Sequence, residues 1–353
     1  MSDNTKIDYL DATINPVAMR CEKVSDGCRN CWHLGMAKRL AGHQFPSDVR
    51  AAYAGGEPVL REDILMQPMR WKKPRTIGVQ FMGDLFHDSI PFAWIDRILA
   101  MVAECERHTF LILTKRPARM VEYFQDDSLE DRITEYWQGD NEDRQTWNIM
   151  LPLPNLYLGV SVENQPATSR LDELAKLSAL GWRTWASLEP LIGGVSLAHW
   201  LHPQEEETAG CATTRELDWV VCGGESGPNA RPCHPDWIRS LRDQCAAASV
   251  PFWFKQWGEW VCAKEHKWST NYDEIKSAFM NRHSREMEVL RITSNGTYID
   301  DASREFDSRY MRWLAPNGGN HPCAQSLSPM ARVGKHRAGA MLDGREHHER
   351  PGK

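Results

Sequence analysis

The sequence predicts an α/β fold in which parallel strands alternate with helices as a partial (βα)6-type barrel. Short apolar runs, typical of strands buried on both faces, recur along the chain with helical patterns between most of them. Nearly every run ends in charged or amide residues, as expected where parallel strands present their carboxyl ends to a ligand. The expected strands are residues 77–82, 110–113, 156–162, 183–188, 219–222 and 252–254.

The connecting helices are predicted from apolar residues that return to one face. One helix is indicated by Ile95, Ile98, Leu99 and Val102, and another by Ile238, Leu241 and Cys245. A further strand just before Cys21 would raise the count to six or seven, fewer than the eight of a closed barrel. Three segments do not follow the alternation of strands and helices, and we interpret them as insertions or an appended lobe: 126–148, 202–217 and 263–321.

Composition is consistent with a large folded protein. The 353 residues are 41% hydrophobic, which suffices for an elaborated barrel, expected at residues 1–260, followed by a C-terminal extension at 261–353. The N-terminal residues lack a basic start and an apolar stretch, and no apolar run approaches membrane length. We therefore expect a cytoplasmic protein with no membrane partner, in which the ten cysteines are reduced thiols or metal ligands.

Charge is unevenly distributed. The net charge of −6 argues against broad, sequence-independent duplex binding. Residues 126–143 carry eight acids against one arginine, whereas residues 331–353 carry six lysines or arginines against three acids. Both segments suit solvated surface. The alternative for the basic C-terminal tail is that it helps to hold a phosphate-bearing substrate.

Three cysteines near the N-terminus form the most informative motif. Cys21, Cys28 and Cys31 lie close together, and no fourth cysteine follows at short range. Structural zinc sites and closed iron–sulfur sites use four protein ligands. Three thiolates instead suit a four-iron cluster whose remaining iron is left open for S-adenosylmethionine.

His33 offers an alternative fourth ligand, for a zinc site. It lies two residues beyond Cys31 but within a helical pattern that ends at Gly42. We therefore expect its side chain to point away from a loop-held metal. The cluster is the main prediction, and a zinc site remains the alternative.

Polar residues follow all six predicted strands in register. Their mixture of carboxylate, ammonium and amide groups suits a zwitterionic ligand that carries a ribose and a base. The strand ends are Gly83-Asp84, Thr114-Lys115-Arg116, Ser161 with Glu163-Asn164, Glu189-Pro190, Gly223-Gly224-Glu225-Ser226, and Lys255-Gln256.

Two other patterns favour packing over function. Cys211, Cys222, Cys233 and Cys245 are regularly spaced, but Cys222 ends a buried strand and Cys245 lies on an apolar helix face, so core packing is the better interpretation. The fifteen tryptophans are likewise expected in the core, although Trp257 and Trp260 lie near the expected mouth of the barrel.

The cysteine loop and the strand ends together carry a set of short motifs. They are Thr-Ile-Asn-Pro at 13–16, Gly-Asp-Leu-Phe-His at 83–87, Leu-Thr-Lys-Arg-Pro at 113–117, Gly-Val-Ser-Val-Glu-Asn at 159–164, Ser-Leu-Glu-Pro-Leu at 187–191, Gly-Gly-Glu-Ser-Gly at 223–227 and Phe-Lys-Gln-Trp-Gly at 254–258. This combination resembles a family of bacteriophage and prophage proteins related to the radical S-adenosylmethionine enzymes, and is distantly similar to spore photoproduct lyase. The resemblance resumes at 332–335 and 342–344.

The chain departs from the common radical enzyme motif in its cysteine loop. Six residues rather than three separate Cys21 from Cys28, and Asn30 stands where an aromatic residue usually precedes the last cysteine. A longer loop can still present three thiolates to one cluster, so the resemblance still implies the same cofactor chemistry.

The resemblance implies a fold, cofactors and site residues. The fold is the partial radical S-adenosylmethionine barrel, and the metal ligands of a [4Fe–4S] cluster are Cys21, Cys28 and Cys31. S-adenosylmethionine is expected to contact Asp84, Lys115, Ser161 and Glu163. Glu189, Glu225 and Lys255 are the expected catalytic residues, and Gln256 is expected to contact substrate. The cofactor supplies the radical chemistry, while the protein positions and shields it.

The resemblance also points to a substrate and partners. A phage-type family and a basic tail favour DNA or a modified nucleotide in the bacterial host, with a flavodoxin or ferredoxin as reducing partner. The predicted reaction is isomerisation of an N-linked glycyl thymidine to its carbon-linked form. Alternatives are a radical lyase that repairs a base lesion and a non-catalytic, metal-stabilised nucleic-acid-binding protein.

Overall fold

The computed structural model describes residues 5–138, 149–201, 216–262, 289–293, 298–299 and 327–352. The chain divides into two compact units. The first comprises Met1–Ser161, Ser169–Ser187 and His202–Asp218, and the second comprises Val162–Thr168, Leu188–Leu201 and Trp219–Lys353. Among the described residues, none of the helices has both the length and the apolarity needed to cross a membrane.

The first unit contains parallel strands joined by helices. Its strands are β1 (Ala12–Ile14), β2 (Val17–Ala18), β3 (Val59–Leu60), β4 (Thr76–Val79), β5 (Thr109–Thr114), β6 (Leu156–Ser161) and β7 (Arg183–Leu188). Its helices are α1 (Trp32–Ala41), α2 (Ser47–Ala54), α3 (Glu62–Leu65), α4 (Phe92–Glu104), α5 (Pro117–Phe124), α6 (Leu129–Gln138) and α7 (Ser169–Ala179). Strands β1, β4, β5, β6 and β7 pair in parallel, each with the next, and β2 pairs antiparallel with β3.

The second unit adds two more parallel strands and a small antiparallel sheet. Its elements are α8 (Ala198–Leu201), β8 (Trp219–Gly223), α9 (Pro235–Ala247), β9 (Phe252–Gln256), β10 (Trp260–Cys262), β11 (Val289–Thr293), β12 (Tyr298–Ile299), β13 (Leu327–Arg332) and α10 (Lys335–Ala338). Strands β8 and β9 are parallel, and β10, β13, β11 and β12 form the antiparallel sheet in that order.

The larger sheet confirms the predicted α/β class. Its seven strands follow the order β1-β4-β5-β6-β7-β8-β9, so chain neighbours in this set are also sheet neighbours. All six predicted runs form strands, and residues 183–188 match β7 in both bounds. The expected first strand ends earlier than predicted, at Ile14, because the chain leaves the large sheet there and Val17–Ala18 pairs with β3 instead.

The two predicted helices form as expected. The four apolar residues that indicated α4 are all fully buried, as are Ile238, Leu241 and Cys245 on α9. Pro235 opens α9, and the ring of His234 accepts a hydrogen bond from the Asp236 backbone N–H at 3.1 Å. Helix α9 therefore has both an N-terminal cap and a continuous buried face.

The predicted insertions have different outcomes. The described part of segment 126–148 contains α6, which packs against α4, and Arg132 of α6 lies 3.2 Å from buried Asp96 of α4. This part belongs to the first unit instead of interrupting it. Residues 139–148, 202–215, 263–288, 294–297 and 300–321 lie outside the described residues. Strands β11 and β12, within segment 263–321, join the small antiparallel sheet.

The basic C-terminal tail covers the outer edge of β9. Phe254 donates its backbone N–H to the His347 carbonyl at 2.8 Å, and Glu349 donates to the Phe252 carbonyl at 3.1 Å. The rings of Trp253 and His348 stack with centroids 4.3 Å apart. Pairing an exposed edge protects it from association with other chains, so this part of the tail has a structural role in addition to its charge.

Candidate functional site

The segment that leads to Cys21 is fixed to the loop that follows β4. The Gln80 side chain accepts from the Val17 N–H at 2.9 Å and donates to the carbonyls of Val17 and Met82 at 2.9 and 2.8 Å. Asn15 accepts from the Met82 N–H at 2.7 Å. Gln80 is fully buried with a positive φ of 57°, a conformation that costs free energy and persists where surrounding bonds enforce it.

The three predicted metal ligands lie in one loop between β2 and α1. Cys28 ends a short 3-10 helix, Asp26–Cys28, and Cys31 is the N-cap of α1. The Cys31 N–H donates to the Cys28 carbonyl at 3.3 Å. Cys28 is buried, whereas Cys21 and Cys31 are partly buried. The thiols are therefore shielded but not sealed into the core.

The thiols interact electrostatically with one another and with nearby charges. Burial, followed by the Asp84 carboxylate, raises the pKa of Cys21 to about 11, while Arg116 opposes the shift. Burial also raises the pKa of Cys31, and the positive charge of Lys115 opposes it. Ionised Cys28 would raise both values. Thiols with raised pKa values release protons when they bind a metal.

His33 lies in α1, as predicted, but the predicted direction of its side chain is wrong. Its Nε2 accepts a hydrogen bond from the Cys21 backbone N–H at 3.2 Å, so the ring faces the cysteine loop. Burial lowers the pKa of His33 to about 4. A neutral ring that accepts at Nε2 carries its proton on Nδ1. His33 thus positions Cys21 through the backbone, which the helical pattern alone did not indicate.

Asp84 is the centre of a hydrogen-bond network at the ends of β4 and β5. It is only 4% exposed. Its Oδ1 accepts from the Thr114 hydroxyl at 2.6 Å and the Phe86 N–H at 3.0 Å, and its Oδ2 accepts from the Lys115 N–H at 3.0 Å. Arg116 Nη1 lies 3.3 Å from Oδ2. These donors hold the carboxylate in one orientation.

Arg116 joins this network to the cysteine loop. Its Nη1 lies 3.9 Å from Cys21 Sγ, and its Nη2 donates to Glu22 Oε1 at 3.0 Å. His87 Nε2 approaches the same Glu22 oxygen at 3.6 Å. Burial and then Arg116 lower the pKa of His87, while Glu22 and Asp84 oppose the shift. Residues from three segments therefore converge on Cys21 and Glu22.

The three thiols of the cysteine loop are the donors that a four-iron cluster would need. In the described part of the chain, no group of three or more histidine, cysteine, aspartate or glutamate side chains is arranged to hold a metal ion. Even so, the loop offers three thiols, the ligand type of iron–sulfur clusters, and a three-thiol set leaves one iron of a four-iron cluster for a small molecule. The number and type of donors therefore fit such a cluster.

In the second unit, Glu189 and Lys255 form a close ion pair. Lys255 Nζ lies 2.6 Å from Glu189 Oε1, and each side chain is 15% exposed. Gly223 leaves space for this carboxylate, because a Cβ atom built there would lie 3.0 Å from Glu189 Oε1. A shielded ammonium and carboxylate in contact can share or transfer a proton.

Glu225 is held by Arg231 and is therefore less suited to a catalytic role. Arg231 donates to both carboxylate oxygens, from Nη2 at 2.6 Å and from Nε at 2.8 Å, and its backbone N–H adds a third bond at 2.8 Å. Glu225 is 4% exposed. A bidentate pair of this kind fixes the turn between them. Its predicted catalytic role remains a prediction, with a structural role now in evidence.

The loops after β8 and β9 pack backbone against backbone. A Cβ atom built on Gly224 would lie 2.0 Å from the Trp257 carbonyl oxygen, and one on Gly258 would lie 2.0 Å from the Glu225 carbonyl oxygen. Gly258 also has a φ of 82°. Only glycine allows this approach. The two glycine-containing motifs are therefore explained by packing, and Gln256 donates to the Ser226 hydroxyl at 3.0 Å within the same pair of loops.

The other predicted cofactor residues are buried or engaged. Ser161 is 5% exposed and its carbonyl accepts from Arg170 at 2.6 Å. Glu163 is 1% exposed, and its carbonyl accepts from the Ile192 N–H at 2.9 Å. Ser161 belongs to the first unit and Glu163 to the second. Their roles toward a ribose remain predictions.

The patterns assigned to packing are buried as predicted. Cys222, Cys233 and Cys245 are fully buried, and burial raises the pKa of each thiol. Cys211 lies outside the described residues. Trp257 and Trp260 are also buried: Trp257 donates to the Met341 carbonyl at 2.8 Å and Trp260 to the Ala230 carbonyl at 2.7 Å. Both tryptophans support the core rather than present a stacking surface.

Sequence reasoning missed the residues that organise the cysteine loop. Arg116 and His87 stand inside the noted motifs but were not chosen, and Gln80 was placed inside a strand. A basic residue directly before the proline that opens α5 was an available signal for Arg116. Nothing local distinguished Gln80, because its partners Val17 and Met82 are defined only by folding.

Comparison with known proteins identifies the family of this chain. A family model described as Protein of unknown function (DUF5131) matches residues 4–351, and the chain belongs to that family. No significant match was found among curated proteins or among solved structures.

Proposed function

We propose that this protein is a radical S-adenosylmethionine enzyme that carries a [4Fe–4S] cluster on Cys21, Cys28 and Cys31. The observation that carries the proposal is the convergence of a three-thiol loop with the polar ends of β4 and β5. Arg116 contacts both the Cys21 sulfur and Asp84, and the charge of Lys115 acts on Cys31. With its cofactors bound, such a site supplies the one-electron cleavage of a sulfonium and a 5′-deoxyadenosyl radical that abstracts hydrogen.

The residues of the first unit bind and orient in this proposal. Three thiolates hold the metal, and Lys115 provides a cation for the carboxylate of S-adenosylmethionine. Asp84 has four donors within the chain, so it acts chiefly by fixing Thr114 and the backbone of Lys115 at the site. A methionyl amino group would compete with these donors for the same oxygens.

The Glu189–Lys255 pair supplies proton transfer in the second unit. Its 2.6 Å contact directs the lysine side chain, and the low exposure of both side chains strengthens the pair. In the proposed glycyl thymidine reaction, a C–N bond breaks, a C–C bond forms, and one hydrogen moves from the α-carbon to nitrogen. The isomerisation is redox-neutral overall: the hydrogen atom removed from the α-carbon is balanced by one proton, which Lys255 Nζ is proposed to donate to the departing nitrogen, and by one electron, which a bound cluster would return.

Iron content and cofactor cleavage test the cluster. Anaerobically prepared protein is expected to contain about four irons and four sulfides per chain, and to form 5′-deoxyadenosine from S-adenosylmethionine and dithionite. Cys28→Ala should abolish both. Cys245→Ala, the matched control, removes a buried thiol on α9 and should keep both. Colourless protein with one zinc would instead support the non-catalytic binding module.

The substrate assignment comes from the family resemblance, and it needs its own test. Nucleosides from phage DNA made with and without this gene should be compared by mass analysis. The expected result is accumulation of the N-linked glycyl thymidine and loss of the carbon-linked form. Unchanged nucleosides with intact cofactor cleavage would reject the substrate and keep the reaction class.

A further inference from the structure

Arg116 lies between the cysteine loop and two carboxylates. One nitrogen of its guanidinium lies 3.9 Å from Cys21 Sγ and 3.3 Å from Asp84 Oδ2, and another lies 3.0 Å from Glu22 Oε1. The side chain is 11% exposed, whereas that of Glu22 is 66% exposed. Arg116 therefore links an inner carboxylate, a sulfur and an outer carboxylate.

The position of Arg116 compensates a conflict of charge. The buried Asp84 carboxylate and the Cys21 sulfur both contact the same guanidinium nitrogen, so negative charge on a metal-bound sulfur would lie close to that of the carboxylate. The guanidinium neutralises that carboxylate and presents an N–H to the sulfur. A charged donor next to a metal-bound thiolate stabilises negative charge on the site, most of all in its reduced state.

The backbone around Arg116 is fixed independently of the sulfur. The Arg116 N–H donates to the Thr114 hydroxyl at 2.9 Å, and that hydroxyl in turn donates to Asp84. Arg116 is also the N-cap residue of α5, directly before Pro117. The Arg116 backbone is thus fixed at the strand-to-helix junction by contacts outside the cysteine loop.

On this basis we propose that Arg116 is a positioning residue for the metal site, which donates to the Cys21 sulfur, strengthens metal binding and raises the reduction potential of the cluster. Asp84 and Glu22 hold the guanidinium from opposite sides. This inference rests on the proposed three-cysteine metal site. It adds Arg116, which is not a metal ligand, as a residue that adjusts the affinity and the reduction potential of that site.

The test uses the full-length protein and two readouts other than activity. Anaerobic titration with Co²⁺, followed by thiolate-to-metal absorption, measures affinity of the three-cysteine loop. Redox titration of the iron-loaded protein, followed by electron paramagnetic resonance, measures the midpoint potential. Arg116→Met should weaken Co²⁺ binding about ten- to a hundred-fold and move the midpoint to a more negative value.

Three further variants keep the inference falsifiable. Arg116→Lys should recover part of both effects, since it restores charge without the planar guanidinium. Glu22→Gln removes an exposed negative charge near the same sulfur and should give a smaller change in the opposite direction. Arg20→Met removes a charge next to Cys21 in sequence, from a side chain that donates to the Ala54 carbonyl, and should change neither readout.

The outcomes separate this inference from the proposed function. Wild-type protein that takes up neither Co²⁺ nor iron would reject the metal site itself. Wild-type protein that binds both, with Arg116→Met at the wild-type affinity and midpoint, would overturn the role of Arg116 alone. An equal shift in Arg20→Met would also overturn it, because any nearby positive charge would then suffice.

Discussion

The polar strand ends of the two units differ in how their charges are compensated. In the second unit, Glu225 is enclosed by Arg231 through two side-chain bonds and one backbone bond. In the first, Asp84 shares its arginine with a sulfur and with exposed Glu22. The three bonds to Glu225 fix a turn, whereas the Arg116 guanidinium also reaches a cysteine sulfur. A strand-end carboxylate is therefore a stronger candidate for a role in the chemistry when its arginine also contacts a potential metal ligand, as Arg116 does.

The Glu189–Lys255 pair stands between these two cases. Lys255 Nζ and Glu189 Oε1 lie 2.6 Å apart, and each of the two side chains is 15% exposed. Glu225, by contrast, is held in one orientation by three hydrogen bonds from Arg231. Among the predicted catalytic residues, Lys255 and Glu189 are therefore better placed for proton transfer than Glu225.

The largest expected effect is the loss of substrate conversion when Lys255 of the second unit is replaced. Lys255→Met should reduce substrate conversion by at least about a hundred-fold, the usual scale of a lost acid or base, while 5′-deoxyadenosine formation continues. Single-turnover assays of both products provide the measurement. Lys176→Met, at an exposed lysine on α7, is the control and should convert substrate normally. Full conversion by the Lys255 variant would assign the pair to structure.

The next effect tests whether the Glu225 pair is structural. Glu225→Gln should lower the free energy of unfolding by about 3 kcal/mol, because it removes the buried carboxylate that pairs with the partly buried Arg231. Urea unfolding measures this loss. Glu173→Gln breaks the exposed pair with Lys176 and should cost less than about 1 kcal/mol. Equal losses in the two variants would contradict the proposed difference between buried and exposed pairs.

A smaller effect separates cofactor binding from folding in the first unit. Asp84→Asn should weaken S-adenosylmethionine binding about ten- to a hundred-fold, since it disturbs the donors that orient the site, and should leave iron content unchanged. Asp96→Asn is the matched control: Asp96 is a buried carboxylate that accepts from Tyr123 and Arg132. The Asp96→Asn variant should be less stable but should bind S-adenosylmethionine with unchanged affinity. Calorimetry measures both quantities. Unchanged affinity in Asp84→Asn would place the cofactor elsewhere.

The smallest effect compares glycines from the two units. Gly35 lies exposed in α1, where an added Cβ meets nothing within 4 Å, so Gly35→Ala should stabilise the fold by about 0.5–1 kcal/mol. Gly224→Ala would bring a Cβ within 2.0 Å of a carbonyl oxygen and should be strongly destabilising. Thermal unfolding of both variants provides the measurement, and a stabilised Gly224 variant would contradict the close backbone packing of the second unit.

The sequence supported much of the fold because strands and helices follow local periodicity. Every predicted apolar run forms a strand, and the apolar faces of α4 and α9 are buried as expected. The strand before Cys21 was misplaced because Val17–Ala18 is apolar like a sheet strand but pairs with β3. The direction of His33 was wrong because helical periodicity does not specify which neighbouring loop a buried face meets.

The amino-acid sequence by itself determined the α/β alternation, the three-cysteine motif and the polar character of the strand ends, since these depend on residue type and short-range spacing. Only the tertiary structure decided which charges share a partner. Glu189 and Lys255 are separated by 66 positions, and Cys21 and Arg116 by 95, yet each pair is in contact. Such contacts depend on distances through space, which the fold sets and local sequence patterns do not encode.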